Sequence, residues 1–570
     1  MHYKRQFIAG IFYILFANIF YSISPRVLKY TIDSIEQGIS SGTLIRFALL
    51  LIAISFFHLI FRFLVRYTLI GTSRKIEYEL RNDFFDHLLT LPLSFYQEHK
   101  TGDLMARATN DLNAVRMVLG PGIMFSINNS MLFVFVIAFM LYTNVTLTLL
   151  ALVPLPFITL IAKFFTKHFY ITFKNVQEQY SNITAKVQEN IAGVRVVKAY
   201  VQEQSEAEEF DNLNKIYFKL NLKLTKIRVT LFTALTFLMG LGMIILIWVG
   251  GILVVKNTIK IGDFVAFTVW LAMLAWPMIS FGWIMNMIQQ GAASMGRIND
   301  IMDAKPEIKD DDHTDFSLQT IKGDIEFKNI NFSYNSQPSK ILKNINIKIP
   351  CGKTMAIIGP TGSGKTTLVN LISRLIEAQE GQLLIDGIDV KKFPLKILRK
   401  NIGYVLQETF LFSDSIVENI GFGVDSPALE EIEKAAEIST IGRDLKDFPD
   451  EFETIIGERG ITLSGGQKQR TALSRAIIRK PQILILDDAF SSVDSHTEES
   501  ILRHFNEYNS EQTAIIIAQR ISTIKNADII IVLDQGKVIE QGTHEGLLQA
   551  NGFYADLYRK QLLEESLESM

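Results

Sequence analysis

The chain has 570 residues, 48% of them apolar and 20% charged, with a net charge of −2 and a mean hydropathy of +0.21. That length exceeds one ordinary domain, and the near-neutral charge gives no basis for a nucleic-acid partner. A single cysteine, Cys351, excludes an internal disulfide framework and a cysteine-rich metal site; it fits a reducing compartment and reads as a small buried hydrophobe.

The apolar residues are unevenly spread. Before Asp303 they form long runs rich in Phe, Leu and Ile, whereas the remainder has ordinary globular composition. A bilayer crossing needs about 20 apolar residues. Six stretches qualify: Phe7–Ile23, Leu44–Leu64, Pro121–Tyr142, Leu147–Phe165, Leu231–Val254 and Phe264–Ile288. The first follows Lys4 and Arg5 as a signal peptide would, but no small-residue cleavage site follows it and further spans do, so it reads as a retained helix. Buried helices of a globular core are rarely so long, so apolar and so numerous.

Two connections are long, from Arg66 to Leu119 and from Lys167 to Thr230, and both are helical in pattern and rich in Lys and Arg. Basic residues concentrate in cytoplasmic loops. The long connections and the polar half of the chain are therefore expected in the cytosol, with the spans continuing as helices beyond the bilayer. Phe95–Leu104 and Asn190–Tyr200 contain short turns at the tips. Within the spans, Asn18, Tyr21, His58, Asn128, Asn129, Asn286 and Gln289 are polar. Such groups face a bundle interior or a cavity, and helix–helix hydrogen bonding accounts for them without a ligand. Arg62 and Arg66, one turn apart, read as anchors that snorkel to the inner interface.

From 303 to 322 the helical pattern stops at Lys305-Pro306 and passes through Lys309-Asp310-Asp311-Asp312-His313. That charge run reads as a solvated linker. The chemistry lies beyond it.

Gly359-Pro360-Thr361-Gly362-Ser363-Gly364-Lys365-Thr366, with Thr367 next, follows an apolar strand pattern (Met355–Ile358) and opens a helical one. That context makes a phosphate-binding loop: glycines let backbone N–H groups turn inward, and the helix N-terminus adds about half a positive charge. Lys365 would reach the outer phosphates and the Thr366 hydroxyl would ligate Mg²⁺, so the chain is expected to bind ATP or GTP. Further on, Tyr404-Val405-Leu406-Gln407 is a strand ending in an amide. Pro481–Asp488 is a strand ending in the paired acids Asp487 and Asp488, and Ala514–Ala518 is a strand followed by Gln519. An acid at such a strand end can complete a Mg²⁺ shell. Between them, Leu463-Ser464-Gly465-Gly466-Gln467 opens a helix, a second anion-binding terminus.

This order of motifs resembles the nucleotide-binding domain of ABC transporters, and the six-span half resembles the membrane domain of ABC exporters. The resemblance implies a membrane protein with a six-helix transmembrane domain (1–302) carrying long cytoplasmic extensions, a linker (303–322) and an α/β P-loop ATPase domain (323–570). It implies that Tyr334 stacks on adenine, that Gln407 senses Mg²⁺ and the γ-phosphate, and that Thr366, Gln407 and Asp487 hold Mg²⁺. Ser464, Gly465, Gly466 and Gln467 would contact ATP held by the opposite subunit, Ser491–Asp494 would link the two sites, and the tips near Gly102 and Gly193 would be coupling helices. One such domain per chain implies a dimer sandwiching two ATP, a multi-pass location in the cell (inner) membrane, and export of drugs, lipids or peptides.

Two positions depart from the family pattern. Asp488 stands where a Glu is usual, and Gln519 where a His is usual. Shortening the side chain withdraws the carboxylate by about one carbon–carbon bond, away from a water in line with the γ-phosphate. General-base help is worth roughly 10²–10⁴-fold. The expectation is a degenerate site that binds ATP and hydrolyses it slowly, in one subunit of a heterodimer whose partner chain carries the intact Glu and His. The alternatives are a homodimeric exporter and an ATP-gated channel or regulator.

Overall fold

The computed structural model describes residues 3–334, 339–448, 450–457, 463–508 and 512–568. The chain divides into two compact units, Met1–Asp86 with Gly102–Asp303, and His87–Thr101 with Ala304–Met570.

The first unit is helical: α1 (Lys4–Glu36), α2 (Ser41–Thr90), α3 (Thr101–Thr143), α4 (Val145–Leu152), α5 (Pro154–Ala192), α6 (Glu203–Val255) and α7 (Ile261–Met302). Among the described residues α1, α2, α3, α6 and α7 are long and apolar enough to cross a membrane. The fourth predicted span, Leu147–Phe165, is divided between α4 and α5 at Val153, and several of its side chains lie outside the described residues. Pro154 sets that break, because it lacks an N–H and crowds the residue before it. Pro25, by contrast, sits inside α1 and does not end it.

At about 1.5 Å per residue, the 50 residues of α2 outrun an apolar layer about 30 Å thick. The most apolar window of α2 is only 6% buried, and Leu49, Phe56 and Phe63 are exposed. Side chains of that kind along a whole helix need a hydrocarbon solvent. Where helices do touch, packing is close: Ile14, Val65, Leu69 and Met124 form one cluster, and a Cβ at Gly10 would collide with Leu69. Trp270 is fully buried on α7, and its Nε1–H donates to Ser22 O at 3.1 Å. At the start of α7 the Gly262 N–H donates to Asp33 at 2.9 Å, and Lys29 pairs with Asp263 at 2.6 Å.

The extensions carry buried charge. Glu77 on α2, 8% exposed, pairs with Arg74 at 3.0 Å, Arg81 at 2.8 Å and Arg116 at 3.4 Å. Asp111 on α3 accepts from Arg297 and Ser294 on α7.

The second unit holds two sheets. Strands β1 (Ile325–Phe332), β2 (Leu342–Ile349), β4 (Glu380–Ile385) and β5 (Ile388–Asp389) form an antiparallel sheet in the order β2-β1-β4-β5. Strands β3 (Thr354–Ile358), β6 (Ile402–Val405), β7 (Ile483–Asp487), β8 (Thr513–Ile517), β9 (Ile529–Asp534) and β10 (Lys537–Gly542) form the other, ordered β10-β9-β3-β8-β7-β6. All neighbours in it are parallel except β10 on β9. Both faces of a parallel sheet are covered, and the alternation of side chains sorts them. Ala356, Ile358, Leu484, Leu486 and Ile516 enter one core; Met355, Ile357, Ile483, Ile485 and Ile517 enter the other.

One expectation changes. Cys351 is exposed: it sits in the turn between β2 and β3, and its thiol donates to Lys322 O at 2.9 Å. The acidic run 309–313 is exposed, with Asp310 accepting from the Leu395 N–H at 2.9 Å; beyond it the Asp315 N–H donates to Lys392 O at 2.8 Å. The short helix Leu93–Glu98 lies in the segment that groups with this second unit.

Removing Glu77 strands the buried Arg116. Breaking a buried pair from one side costs about 3–5 kcal/mol. Glu77→Ala is expected to lower the unfolding temperature of the detergent-purified chain clearly, and Arg81→Ala, at the exposed edge of the cluster, only slightly.

Candidate active site

The parallel register assembles the site. Ile357 of β3 and Asp487 of β7 both pair with Ile517 of β8. The residues that follow the three strands, Gly359, Asp488 and Gln519, therefore emerge at one edge, where ligands bind in open α/β sheets. A cavity of about 530 Å³ opens there, lined by Gly359, Pro360, Thr361, Asp488, Gln519 and Arg520 among others.

The loop's shape depends on its glycines. Gly364 has φ +102°, a left-handed conformation at the N-cap of α8 (Lys365–Ile372), and a Cβ at Gly359 would collide with the Leu533 carbonyl of β9. Lys365 Nζ donates to Gly359 O at 2.8 Å and Pro360 O at 2.9 Å, so its amine is held over the loop. Burial lowers its pKa, against the attraction of Asp487 and Asp488.

The two acids differ. Asp487 is almost fully buried; burial pushes its carboxyl up, opposed by the Thr366 hydroxyl and then reinforced by the charge of Asp488. Asp488 is half-buried with φ +51°. Its N–H donates to Ile517 O at 2.9 Å. Burial also raises its pKa, with Lys365 and Arg520 opposing.

Two residues not anticipated from the sequence bear on the site. Glu498 on α10 (Ser495–Tyr508) is buried, with Oε1 unpartnered among the described residues. Its pKa is raised by burial, and Arg520 lies 3.7 Å from it. Gln469, buried on α9 (Gly465–Ile477), donates to Ser491 Oγ at 2.8 Å and accepts from the Ser492 N–H at 2.9 Å. Their common signal is weak: polar residues on the inner face of amphipathic helices next to the motifs.

Ser464 caps α9, receiving the Gln467 N–H at 3.3 Å, while Gln467 Oε1 accepts from the Ser464 N–H at 3.0 Å. Gln467 Nε2 also donates to Asp444 at 2.9 Å, and Arg470 pairs with the same carboxylate at 2.7 Å. A Cβ at Gly466 would press on the Ser492 carbonyl at 2.8 Å. Ser464 and Gly465 are exposed and are not in the wall of the cavity. Asp494 caps α10, accepting from the Thr497 N–H at 2.9 Å. Tyr334 stands edge-on to Phe332 with its hydroxyl 3.4 Å from Thr367 Oγ1. Gln407, two residues beyond β6, is exposed and not in the cavity wall.

In the phosphate loop and at the end of β7, Ser363 Oγ and Asp487 Oδ2 are buried oxygens with no partner among the described residues. With Thr366 they make an all-oxygen donor set, which suits Mg²⁺ carrying phosphate and water as its other ligands. No cluster of three or more His, Cys, Asp or Glu occurs among the described residues, as expected for an ion held largely by its nucleotide. The residues fit ATP with Mg²⁺.

Apolar helices of bilayer-crossing length and a phosphate loop at the carboxyl edge of a parallel sheet define a P-loop ATPase joined to a membrane domain. The family profile "ABC transporter transmembrane region" matches residues 7–278 and the profile "ABC transporter" matches 342–491. The chain is 33% identical to the probable multidrug resistance ABC transporter ATP-binding/permease protein YheI of Bacillus subtilis, over 98% of this chain and 96% of that one. It is 35% identical to an ATP-dependent lipid A-core flippase of Desulfotalea psychrophila, over 90% and 89%. A bacterial Atm1-family ABC exporter with ATP bound superposes with a TM-score of 0.80 at 26% identity, covering 98% of each chain. This chain belongs to the ABC transporter family. It is a multi-pass exporter half-transporter, its membrane domain and cytoplasmic ATPase domain fused in one polypeptide, and its ATPase is coupled to transport.

The Thr366 hydroxyl, beside the unpartnered Asp487 Oδ2, would serve the metal more than the nucleotide. Thr366→Ala is expected to weaken binding of a fluorescent ATP analogue about tenfold or more in Mg²⁺ while leaving binding in EDTA unchanged.

Proposed function

We propose that this chain exports amphipathic compounds (drugs, lipids or peptides) by alternating access, as the subunit of a heterodimer that contributes a catalytically degenerate ATP site. The observation that carries the reading is Asp488. Its backbone is held by the Ile517 carbonyl, next to a loop tied down by Gln469, so the main chain cannot advance to compensate for the missing methylene. A general base works within about 2.6–3.2 Å of its proton. The raised pKa of Asp488 makes it a stronger base, but basicity does not lengthen the side chain. Gln519 can accept and donate hydrogen bonds but cannot carry the positive charge a His can.

In this reading residues 1–302 are the membrane domain, with α4 and the first part of α5 as the fourth of six crossings, 303–322 the linker and 323–570 the ATPase domain, with the protein in the cell (inner) membrane. Gly359 to Thr367 hold the phosphates and Tyr334 the adenine. Thr366, Asp487 and Gln407 hold Mg²⁺, which neutralises charge on the β- and γ-phosphates. The exposed Ser464 end of α9 meets ATP bound by the second chain, and with Gly465, Gly466 and Gln467 it completes the competent site there. The multidrug and lipid A-core names of two relatives support an amphipathic cargo.

The test mixes this chain with its partner and measures ATPase activity. Replacing the partner's catalytic Glu by Gln should lower the rate by roughly 10²–10⁴-fold, while Asp488→Ala should leave it little changed and Asp488→Glu should raise the rate of this chain alone. Equal loss from Asp488→Ala, or brisk hydrolysis by the unmixed wild-type chain, overturns the asymmetry.

A further inference from the structure

Within the first unit a second cavity, of about 350 Å³, opens among α1, α2, α3 and α7. Arg62 and Arg66 line it, with His58, Asn18, Asn128 and Trp276. The arginines are not at the inner edge of the apolar layer. Phe16 stacks on Phe61 at 5.3 Å and Phe20 on Phe57 at 5.5 Å, which sets Arg62 level with the middle of the apolar Phe7–Ile23 stretch and Arg66 one turn toward the cytosolic end. An ionised side chain at such depth faces a cavity and marks a pathway or a binding site unless it is paired.

These two are unpaired. Five other arginines of this unit have carboxylates: Arg74, Arg81 and Arg116 share Glu77, Arg107 has Asp103 and Arg297 has Asp111. Among the described residues, no acid lines this cavity, and neither Arg62 nor Arg66 has an ion pair or hydrogen bond.

The remaining polar wall offers few acceptors. Asn18 Nδ2 donates to Asn128 Oδ1 at 3.1 Å, Asn128 Nδ2 to Asn129 Oδ1 at 3.3 Å, and Asn129 Nδ2 to Ser280 Oγ at 2.7 Å. The Asn128 and Asn129 amide oxygens are thus engaged by neighbouring amides. His58 Nδ1–H donates to Ala17 O at 3.0 Å. Against this stand the donors of two guanidiniums, five N–H each in a planar fork suited to phosphate or carboxylate. Apart from the Tyr21 hydroxyl the rest of the lining is apolar, including Val65, Met124, Phe125 and Met273. The cavity lacks anionic acceptors and supplies an apolar bed, so the missing partner is a molecule with both an anionic head and an apolar body.

We propose that this cavity binds the headgroup of an anionic amphiphile, a phosphate or carboxylate on an apolar body, through Arg62 and Arg66. The proposal rests on the export reading above and names the charge class of its cargo.

The test uses the full chain in nanodiscs without nucleotide, so that a slow ATPase is irrelevant to it. Trp276, exposed on α7 at the cavity, reports occupancy by its fluorescence, with Trp276→Phe as the blank. The probes are dodecyl phosphate, dodecyltrimethylammonium and dodecyl maltoside, which share a tail and differ in charge. Dodecyl phosphate should bind saturably. Its affinity should fall at least about tenfold in the Arg62→Gln/Arg66→Gln double variant, which removes two charge-assisted contacts, and should largely survive Arg62→Lys/Arg66→Lys. The site is overturned if the cation or the neutral probe binds as tightly as the phosphate, if the Gln variant binds it unchanged, or if no probe gives a Trp276-dependent signal. Because binding is read apart from turnover, a pair that binds dodecyl phosphate through the arginines yet moves no amphiphile across vesicles refutes the export reading and leaves the site standing.

Discussion

The ATP site depends on one strand being paired from both sides. Ile517 of β8 is in register with Ile357 of β3 and with Asp487 of β7. Since every side chain on a strand alternates between faces, slipping either neighbour by one residue would exchange the two buried sets of the sheet. Ile357 and Ile517 would leave the core they share with Ile485, and Ala356, Ile358 and Ile516 would leave theirs. The hydrophobic contrast between those positions and any solvated surface fixes the register, and the register brings Gly359, Asp488 and Gln519 to one rim. The chemistry is thus positioned by residues that never touch nucleotide.

A second tie joins this rim to the Ser464 helix. Gln469 spans from α9 to the Ser491–Ser492 loop with one amide, and Gly466 allows the helix to approach the Ser492 carbonyl closely. The cap of the same helix is internally satisfied, because Ser464 and Gln467 bond each other's backbone and Asp444 fixes Gln467 and Arg470. A helix N-terminus held this way keeps its first turn formed and exposed, which a docking surface for phosphate on another chain requires. Movement of the loop after Asp488 must move α9, and the reverse, since one buried side chain bonds both.

Much of this was legible in the sequence, for identifiable reasons. The phosphate loop could be read because only glycine tolerates the left-handed turn at Gly364 and the close approach at Gly359, so the pattern is scarce. The spans could be read because a bilayer demands length and apolarity together. Their ends could not: α1 passes through Pro25 because a helix flanked by other helices retains its remaining hydrogen bonds, whereas Pro154, with no N–H of its own, divides the fourth span at Val153. Cys351 was misread because burial was inferred from residue type, whereas the β2–β3 turn decides its exposure. Gln469 and Glu498 were missed because a polar residue on the inner face of a helix has no spacing signature of its own; only the packing of α9 and α10 beside the rim gives them partners.

Arg62 and Arg66 illustrate the same limit from the membrane side. Read along α2, two basic residues after an apolar run mark the end of a span. Stacked against α1 through Phe57 and Phe61, they fall well inside it. Depth in a bilayer is a property of neighbouring helices, not of one helix's composition, and it changes what the charge must do. At the interface a guanidinium is solvated by water and headgroups; Arg62 and Arg66 are exposed on the wall of a cavity within the span, where an incoming molecule can reach them. In that cavity the Asn128 and Asn129 amide oxygens are engaged by an amide ladder from Asn18 to Ser280, and among the described residues no acid lines it. In the ATPase unit the unpartnered oxygens Ser363 Oγ and Asp487 Oδ2 lie beside the phosphate loop and suit a metal–phosphate, and on the proposed reading the guanidiniums of Arg62 and Arg66 suit an anion.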